Sequence, residues 1–273
     1  MIELINKFKI ENLNDENIKK LEAFKTILTL QNNFQTKALG TKDWYEVNYL
    51  NEKPVNYILA VFAELGELLA SSDYEWWANK GTKDIENIKT ELIDILHFDL
   101  SRSLKNLYLI FKNVNQNFNF EHYMLNILQK PDLEDYFLRV DSEKTQLLYE
   151  TMTEYVHTIS SPIFYFDPAA IYNYSRSIHL IFKMFEMIEV PFEEVIARYL
   201  VKNALNFVRK ANGYKEGKYE KMWISLSGPI AEDNVIALEI VSEKQKKDNT
   251  ILDIEEIIDL LNGHYRTIVL SSL

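Results

Sequence analysis

Ile58-Leu-Ala-Val-Phe-Ala-Glu64-Leu-Gly-Glu67-Leu-Leu-Ala70 and Glu91-Leu-Ile-Asp94 decide the fold of this chain; twenty-three residues separate the two carboxylate pairs. Residues three apart share a helix face, so Glu64 projects beside Glu67 and Glu91 beside Asp94. In the first stretch the glutamates are the only charged side chains, and a helix apolar on every side is a buried helix. Buried carboxylates are costly unless they are paired or bind metal. One Glu-x-x-Glu is ordinary on a helix surface. Two such pairs, in apolar runs on successive helices, predict an all-α helical bundle with a four-carboxylate metal site. Oxygen donors alone suit the hard cations Mg²⁺ and Mn²⁺.

Asp94-x-x-His97 extends the second pair along its face. Di-iron bundles draw Glu-x-x-His from two helices, whereas the Glu64 pair has no histidine at that spacing. Iron is therefore the weaker choice. A single helical histidine is more often a hydrogen-bonded core or pocket residue.

Seven glycines, six prolines and apolar residues at helical spacing favour α over β architecture across the 273 residues. With no cysteine, disulfides, thiolate metal sites and cysteine nucleophiles are excluded. Met1-Ile-Glu-Leu-Ile-Asn-Lys7 has no signal-peptide pattern, and no apolar run is long enough to cross a bilayer. The expectation is a cytoplasmic protein without a membrane partner. A net charge of −11 argues against nucleic-acid binding by the surface as a whole.

The pattern predicts one all-α domain over residues 1–273, with a helical inserted subregion at about 113–161. Helices are expected over Glu16–Ala38 (Leu21, Phe24, Leu28 and Phe34 inward), from Pro54 towards Ser72, and from Thr82 or Asp84 to about Lys112. Gly40 breaks the chain after the first. Within the inserted subregion, Phe120–Leu128 and Glu143–Ile159 read as helical fragments. Asp167-Pro168 and Pro191 open two more helices, ending near Ile188 and at Asn212-Gly213. A polar, aromatic loop over Tyr214–Asp233 and short helices near Asn234–Lys244 and Ile251–Leu261 complete the chain.

Between Lys202 and Lys221 the chain carries six basic and two acidic residues, a positive stretch in an acidic protein. Lys202, Asn206 and Arg209 form one helical stripe, and a glycine-punctuated loop follows. Arginine offers phosphate a planar fork and lysine a mobile point charge. Basic residues at a helix end are also ordinary, being favourable with the helix dipole. Beside a carboxylate metal site, a polyphosphate ligand accounts for both clusters.

Glu64-x-x-Glu67 followed by Glu91-x-x-Asp94 resembles the signature of the all-α nucleoside triphosphate pyrophosphatases. Glu91-Leu-Ile-Asp94-Ile-Leu-His97-Phe98, Lys202-Asn203-x-x-Asn206-x-x-Arg209 and Gly213-Tyr214-Lys215-x-Gly217-x-Tyr219-x-Lys221-x-Trp223 are similar to the dimeric dUTPases. The similarity runs from Leu30 to about Asp233, apart from 113–161. It implies a homodimer with a rigid helical core that holds two or more Mg²⁺ and splits dUTP into dUMP and pyrophosphate. It also implies metal binding by Glu64, Glu67, Glu91 and Asp94, with Glu67 orienting the attacking water. Phosphate contacts fall to Lys202, Asn206, Arg209, Tyr214, Lys215 and Lys221. Gln31, Gln35, His97 and Phe98 are the implied base and sugar contacts. Gln35 stands where the family has asparagine. Tyr74, Glu75 and Ala78 depart from the family's Trp-Lys-x-Trp-Lys, so Lys80 is the remaining substitute for its lysines, and Trp76 and Trp77 read as packing residues.

Two other readings stand at this point. One is the same chemistry on another nucleotide such as dCTP, which Gln35 supports. The other is a non-catalytic helical interaction protein with structural carboxylates.

Overall fold

Apolar residues at helical spacing become eight α-helices among the described residues, which are 15–72, 83–113, 148–160 and 169–271 of this computed structural model. By its contacts the chain divides into two compact units, Met1–Phe192 and Glu193–Leu273.

In the first unit, α1 (Asp15–Leu39) buries Phe24, Ile27 and Leu28 along one stripe. Phe34 is only half-buried, and the side chain of Leu21 lies outside the described residues. Gly40 ends the helix with a φ of +73°, a left-handed value that glycine takes without a Cβ clash. A 3₁₀ turn at Trp44–Glu46 and a two-stranded hairpin, β1 (Tyr49–Leu50) with β2 (Lys53–Pro54), come next. Asn51 and Glu52 at the hairpin tip both have positive φ, which matches the twist of a two-residue turn.

Pro54 therefore lies in a strand rather than opening a helix. Asn56 sets the start of α2 (Tyr57–Ser71) instead, its Oδ1 accepting from the N–H groups of Ile58 and Leu59. Long α3 (Ile85–Asn113) packs against α1, α2 and α5 (Ala169–Met187), and α4 (Leu148–Ser160) packs on α5. The described part of α4 begins at Leu148, inside the expected Glu143–Ile159 fragment; residues 143–147 lie outside the described residues. Tyr174, Ile178, Ile181 and Phe185 of α5 are buried in the core.

One expectation fails in an informative way. The apolar run on α2 buries only the stripe Tyr57, Val61, Leu65 and Leu68, while Leu59 is 62% and Phe62 40% exposed. Apolar composition all round does not bury this helix all round. The readings placed on Tyr74, Glu75, Trp76, Trp77, Ala78, Lys80, residues 120–128 and Asp167-Pro168 lie outside the described residues.

In the second unit, α6 (Phe192–Ala211) meets a hairpin of β3 (Met222–Ile224) and β4 (Ile230–Glu232), then α7 (Asp233–Asp248) and α8 (Ile254–Ser271). Gly213, with a φ of +82°, closes the end of α6. Trp223 is fully buried among Val208, Ile236, Leu261 and Tyr265, and that anchor converts the expected Tyr214–Asp233 loop into a strand pair. Both closing helices outrun their expected lengths: α7 runs on through polar residues to Asp248, and in α8 the buried stripe continues through Tyr265 to Ile268.

Candidate functional site

Helix spacing does bring carboxylates together. Glu64 and Glu67 of α2 and Glu91 of α3 each place an oxygen within 4.8 Å of the other two. They differ in burial: Glu91 is buried, Glu64 half-buried and Glu67 exposed. The expectation of wholly buried carboxylates is thus met only at Glu91. Asp94, one turn beyond Glu91 on α3, stands outside this trio. Burial, the neighbouring Asp94 charge, a hydrogen bond shared with Glu64, and the charges of Glu64 and Glu67 push the Glu91 carboxyl up to about 8. A divalent cation with oxygen ligands fits this donor set, since it offsets the repulsion that otherwise has to be relieved by a proton.

That raised value has a measurable consequence in metal-free protein. A group whose folded pKa lies above its ordinary 4.5 contributes stability at low pH, which is lost as pH rises towards about 8. In metal-free buffer the melting temperature should therefore fall across this window relative to Glu91→Gln, which cannot ionise. Parallel melting curves for the two proteins over the whole window would refute the assignment.

A second polar cluster joins α1 to α3. Gln31 Nε2 and Gln35 Nε2 donate to Ser101 Oγ at 2.7 and 2.9 Å, and Ser101 Oγ donates to the His97 carbonyl oxygen at 2.9 Å. Gln35 Oε1 accepts from the Tyr57 hydroxyl at 3.0 Å. Burial pushes the Tyr57 phenol up, so it stays protonated as a donor. His97 is buried with Nδ1 2.9 Å from the Ile93 carbonyl oxygen, and Phe98 is half-buried beside it in sequence. Gln31, Gln35 and His97 are thus gathered around a serine that the motif reading did not single out. Its spacing was available: Ser101 lies one turn beyond His97 on the same face.

The basic stripe of α6 forms a third cluster, in the second unit. Arg209 makes a two-pronged ion pair with Asp233, Nε to Oδ2 at 2.8 Å and Nη2 to Oδ1 at 2.7 Å. Asn234 Oδ1 accepts from Lys202 Nζ at 3.0 Å and from Arg209 Nη2 at 3.1 Å, and Tyr219 donates its hydroxyl to Asp233. The Arg209 guanidinium and the Lys221 ammonium stand 5.5 and 5.6 Å from the centre of the Tyr214 ring. Asn206 is half-buried between Lys202 and Arg209 on the helix, and Lys215 is exposed in the turn. Fully buried Asp233, absent from the sequence reading, orients the arginine fork. Nothing local in the sequence flagged it, because its partners lie 14 and 24 residues away.

The described residues are mostly helical; three carboxylates meet in the first unit, and Lys202 and Arg209 cluster in the second. A family model described as dUTPase matches residues 23–214, and the chain belongs to that dUTPase family. It is accordingly an enzyme that hydrolyses dUTP. The matched span holds the four carboxylates, both glutamines, Lys202, Asn206, Arg209 and Tyr214, and it stops short of Lys215, Lys221 and Asp233. No curated protein sequence matches the chain. Among the described residues no helix is long and apolar enough to cross a membrane.

Proposed function

We propose that the chain is a Mg²⁺-dependent dUTP pyrophosphohydrolase that releases dUMP and pyrophosphate, and that it also takes dUDP to dUMP and phosphate. The observation that carries the cation is the meeting of Glu64, Glu67 and Glu91 within 4.8 Å, in a member of the dUTPase family. Asp94 joins them as a fourth ligand, supported by its electrostatic effect on Glu91. A divalent cation held there supplies Lewis acidity at phosphoryl oxygen and a more acidic water. Glu67, the exposed member of the trio, orients the attacking water. Lys202, Asn206, Arg209, Tyr214, Lys215 and Lys221 neutralise phosphate charge. Gln31, Gln35, His97 and Phe98 contact base and sugar. The working form is a homodimer in the cytoplasm, with sedimentation as the test of its oligomeric state.

Pyrophosphate release across the deoxynucleoside triphosphates, with and without Mg²⁺, tests the proposal. The expected result is release from dUTP that disappears without a divalent cation; undiminished release in metal-free buffer would end the Mg²⁺ assignment. Attack at the β phosphorus, which the family resemblance implies, puts label from isotopically labelled water into pyrophosphate and none into dUMP. Gln35 in place of asparagine supports a second reading, the same chemistry on another nucleotide such as dCTP.

A further inference from the structure

Asp233, the first residue of α7, is fully buried, and its carboxylate is bonded to other elements. Oδ1 and Oδ2 accept from Arg209 of α6, and Oδ2 also accepts from the Tyr219 hydroxyl at 2.9 Å. The Asp233 backbone N–H donates to the Lys221 carbonyl oxygen at 2.8 Å, which ties the entry to β3 to the start of α7. Asn234, the next residue, holds Lys202 and Arg209 on its Oδ1. Lys202, Arg209 and Lys221 are thus gathered by two consecutive residues, both beyond the span that the family model matches.

A buried acid is an unexpected neighbour for cations that meet an anionic ligand. If the cluster worked by positive charge alone, Asp233 would weaken it, because its charge offsets that of Arg209. What the carboxylate adds is direction. Of the guanidinium donors, Asp233 and Asn234 take the one on Nε and both on Nη2. The plane of the fork and the heading of Nη1 are therefore set before any ligand arrives. The ordering of a long side chain is then met in folding rather than on binding.

We propose that Asp233 is a positioning residue for polyphosphate: it fixes Arg209 in its binding orientation, and that preorganisation outweighs the repulsion of its own charge. The inference rests on the reading of Arg209 as a phosphate contact in a dUTP hydrolase. Tyr219 serves Asp233 in the same role. Its ring stacks on Tyr265 with centres 4.8 Å apart, which fixes where its hydroxyl points. Burial and the Asp233 charge push the Tyr219 phenol up, so it stays a donor.

Orientation and charge predict opposite signs for one measurement. Asp233→Asn keeps the shape and removes a negative charge, so charge alone tightens the binding of inorganic pyrophosphate, whereas lost orientation weakens it. The test is KM and kcat for dUTP, inhibition by pyrophosphate and melting temperature, all with Mg²⁺. It is run on the full-length wild type, Asp233→Asn, Arg209→Gln and the double variant. In Asp233→Asn the KM and the pyrophosphate inhibition constant should rise by about ten- to a hundredfold. Adding Asp233→Asn to Arg209→Gln should change neither constant further, since a residue that acts through another has nothing left to position. Unchanged or tighter inhibition in Asp233→Asn overturns the proposal, and so does an equal further loss in the double variant. A lowered melting temperature with both constants unchanged assigns Asp233 a purely structural role and overturns it as well. If Asp233→Asn does not fold, Tyr219→Phe carries the test by removing one donor to the carboxylate, and unchanged constants there also overturn it. A wild type inactive on dUTP, or an Arg209→Gln variant with unchanged constants, defeats the underlying reading, and this inference with it.

Discussion

Glu67→Ala should lower kcat for dUTP by about 10²- to 10⁴-fold at saturating Mg²⁺ and substrate, the range by which a positioned acid–base group accelerates proton transfer. Three observations direct the loss to turnover rather than to folding. Glu67 is exposed, so its truncation opens no cavity in the core. Its negative charge is among those that raise the Glu91 carboxyl, so its removal relieves repulsion in metal-free protein and leaves the melting temperature unchanged or higher. Glu64 and Glu91, more buried, remain to hold a cation. Glu67→Gln keeps the shape and loses the base, and should be as slow as alanine. Full turnover in either variant at saturating Mg²⁺ would remove Glu67 from the reaction. A large rise in KM with kcat intact would assign it to binding instead.

The sequence showed what repeats at short range and concealed what depends on distant partners. Glu-x-x-Glu and Glu-x-x-Asp are pairs that helix geometry makes neighbours, so the trio of Glu64, Glu67 and Glu91 could be foreseen once both stretches were read as helices. The burial of those residues could not. An apolar run shows what a helix can bury, whereas the neighbour that covers each face is a tertiary fact; Leu59 and Phe62 on α2 stay exposed. Boundaries followed the same division. Gly40 and Gly213 stop helices through their own backbone conformation and are legible, whereas Pro54 misleads because Asn56, two residues on, supplies the cap. The β3–β4 hairpin is hard to read because each strand is three residues long and Trp223 is the one residue of the two strands that is buried, Met222, Ile224 and Ile230 being exposed. Arg209 was legible as a cation, but its orienting partner Asp233 was not.

The residues that sequence spacing underrated most are Asp99 and Arg102, an i, i+3 pair on α3 that would pass for a surface salt bridge. Both side chains are almost wholly buried, with Arg102 Nε 2.6 Å from Asp99 Oδ1. Ser177 of α5 closes the network, its Oγ donating to Asp99 Oδ2 at 2.6 Å and accepting from Arg102 Nη2 at 2.9 Å. The Arg102 guanidinium lies 5.1 Å from the centre of the Tyr174 ring. Tyr155 of α4 is fully buried nearby, its phenol pushed well up by burial and by the Asp99 charge. Asp99→Ala should cost about 3–5 kcal/mol, because it leaves the arginine charge buried without its carboxylate. Replacing both partners by apolar residues, Asp99→Leu with Arg102→Met, should recover most of that loss, since a buried pair has already given up its hydration. Urea unfolding of the three proteins decides the matter. A single-variant loss below about 1 kcal/mol would mean that water reaches Arg102, as it does at an exposed pair. A double variant no better than Asp99→Ala would mean instead that the pair's hydrogen bonds to α5, rather than the cost of an uncompensated charge, hold these helices together.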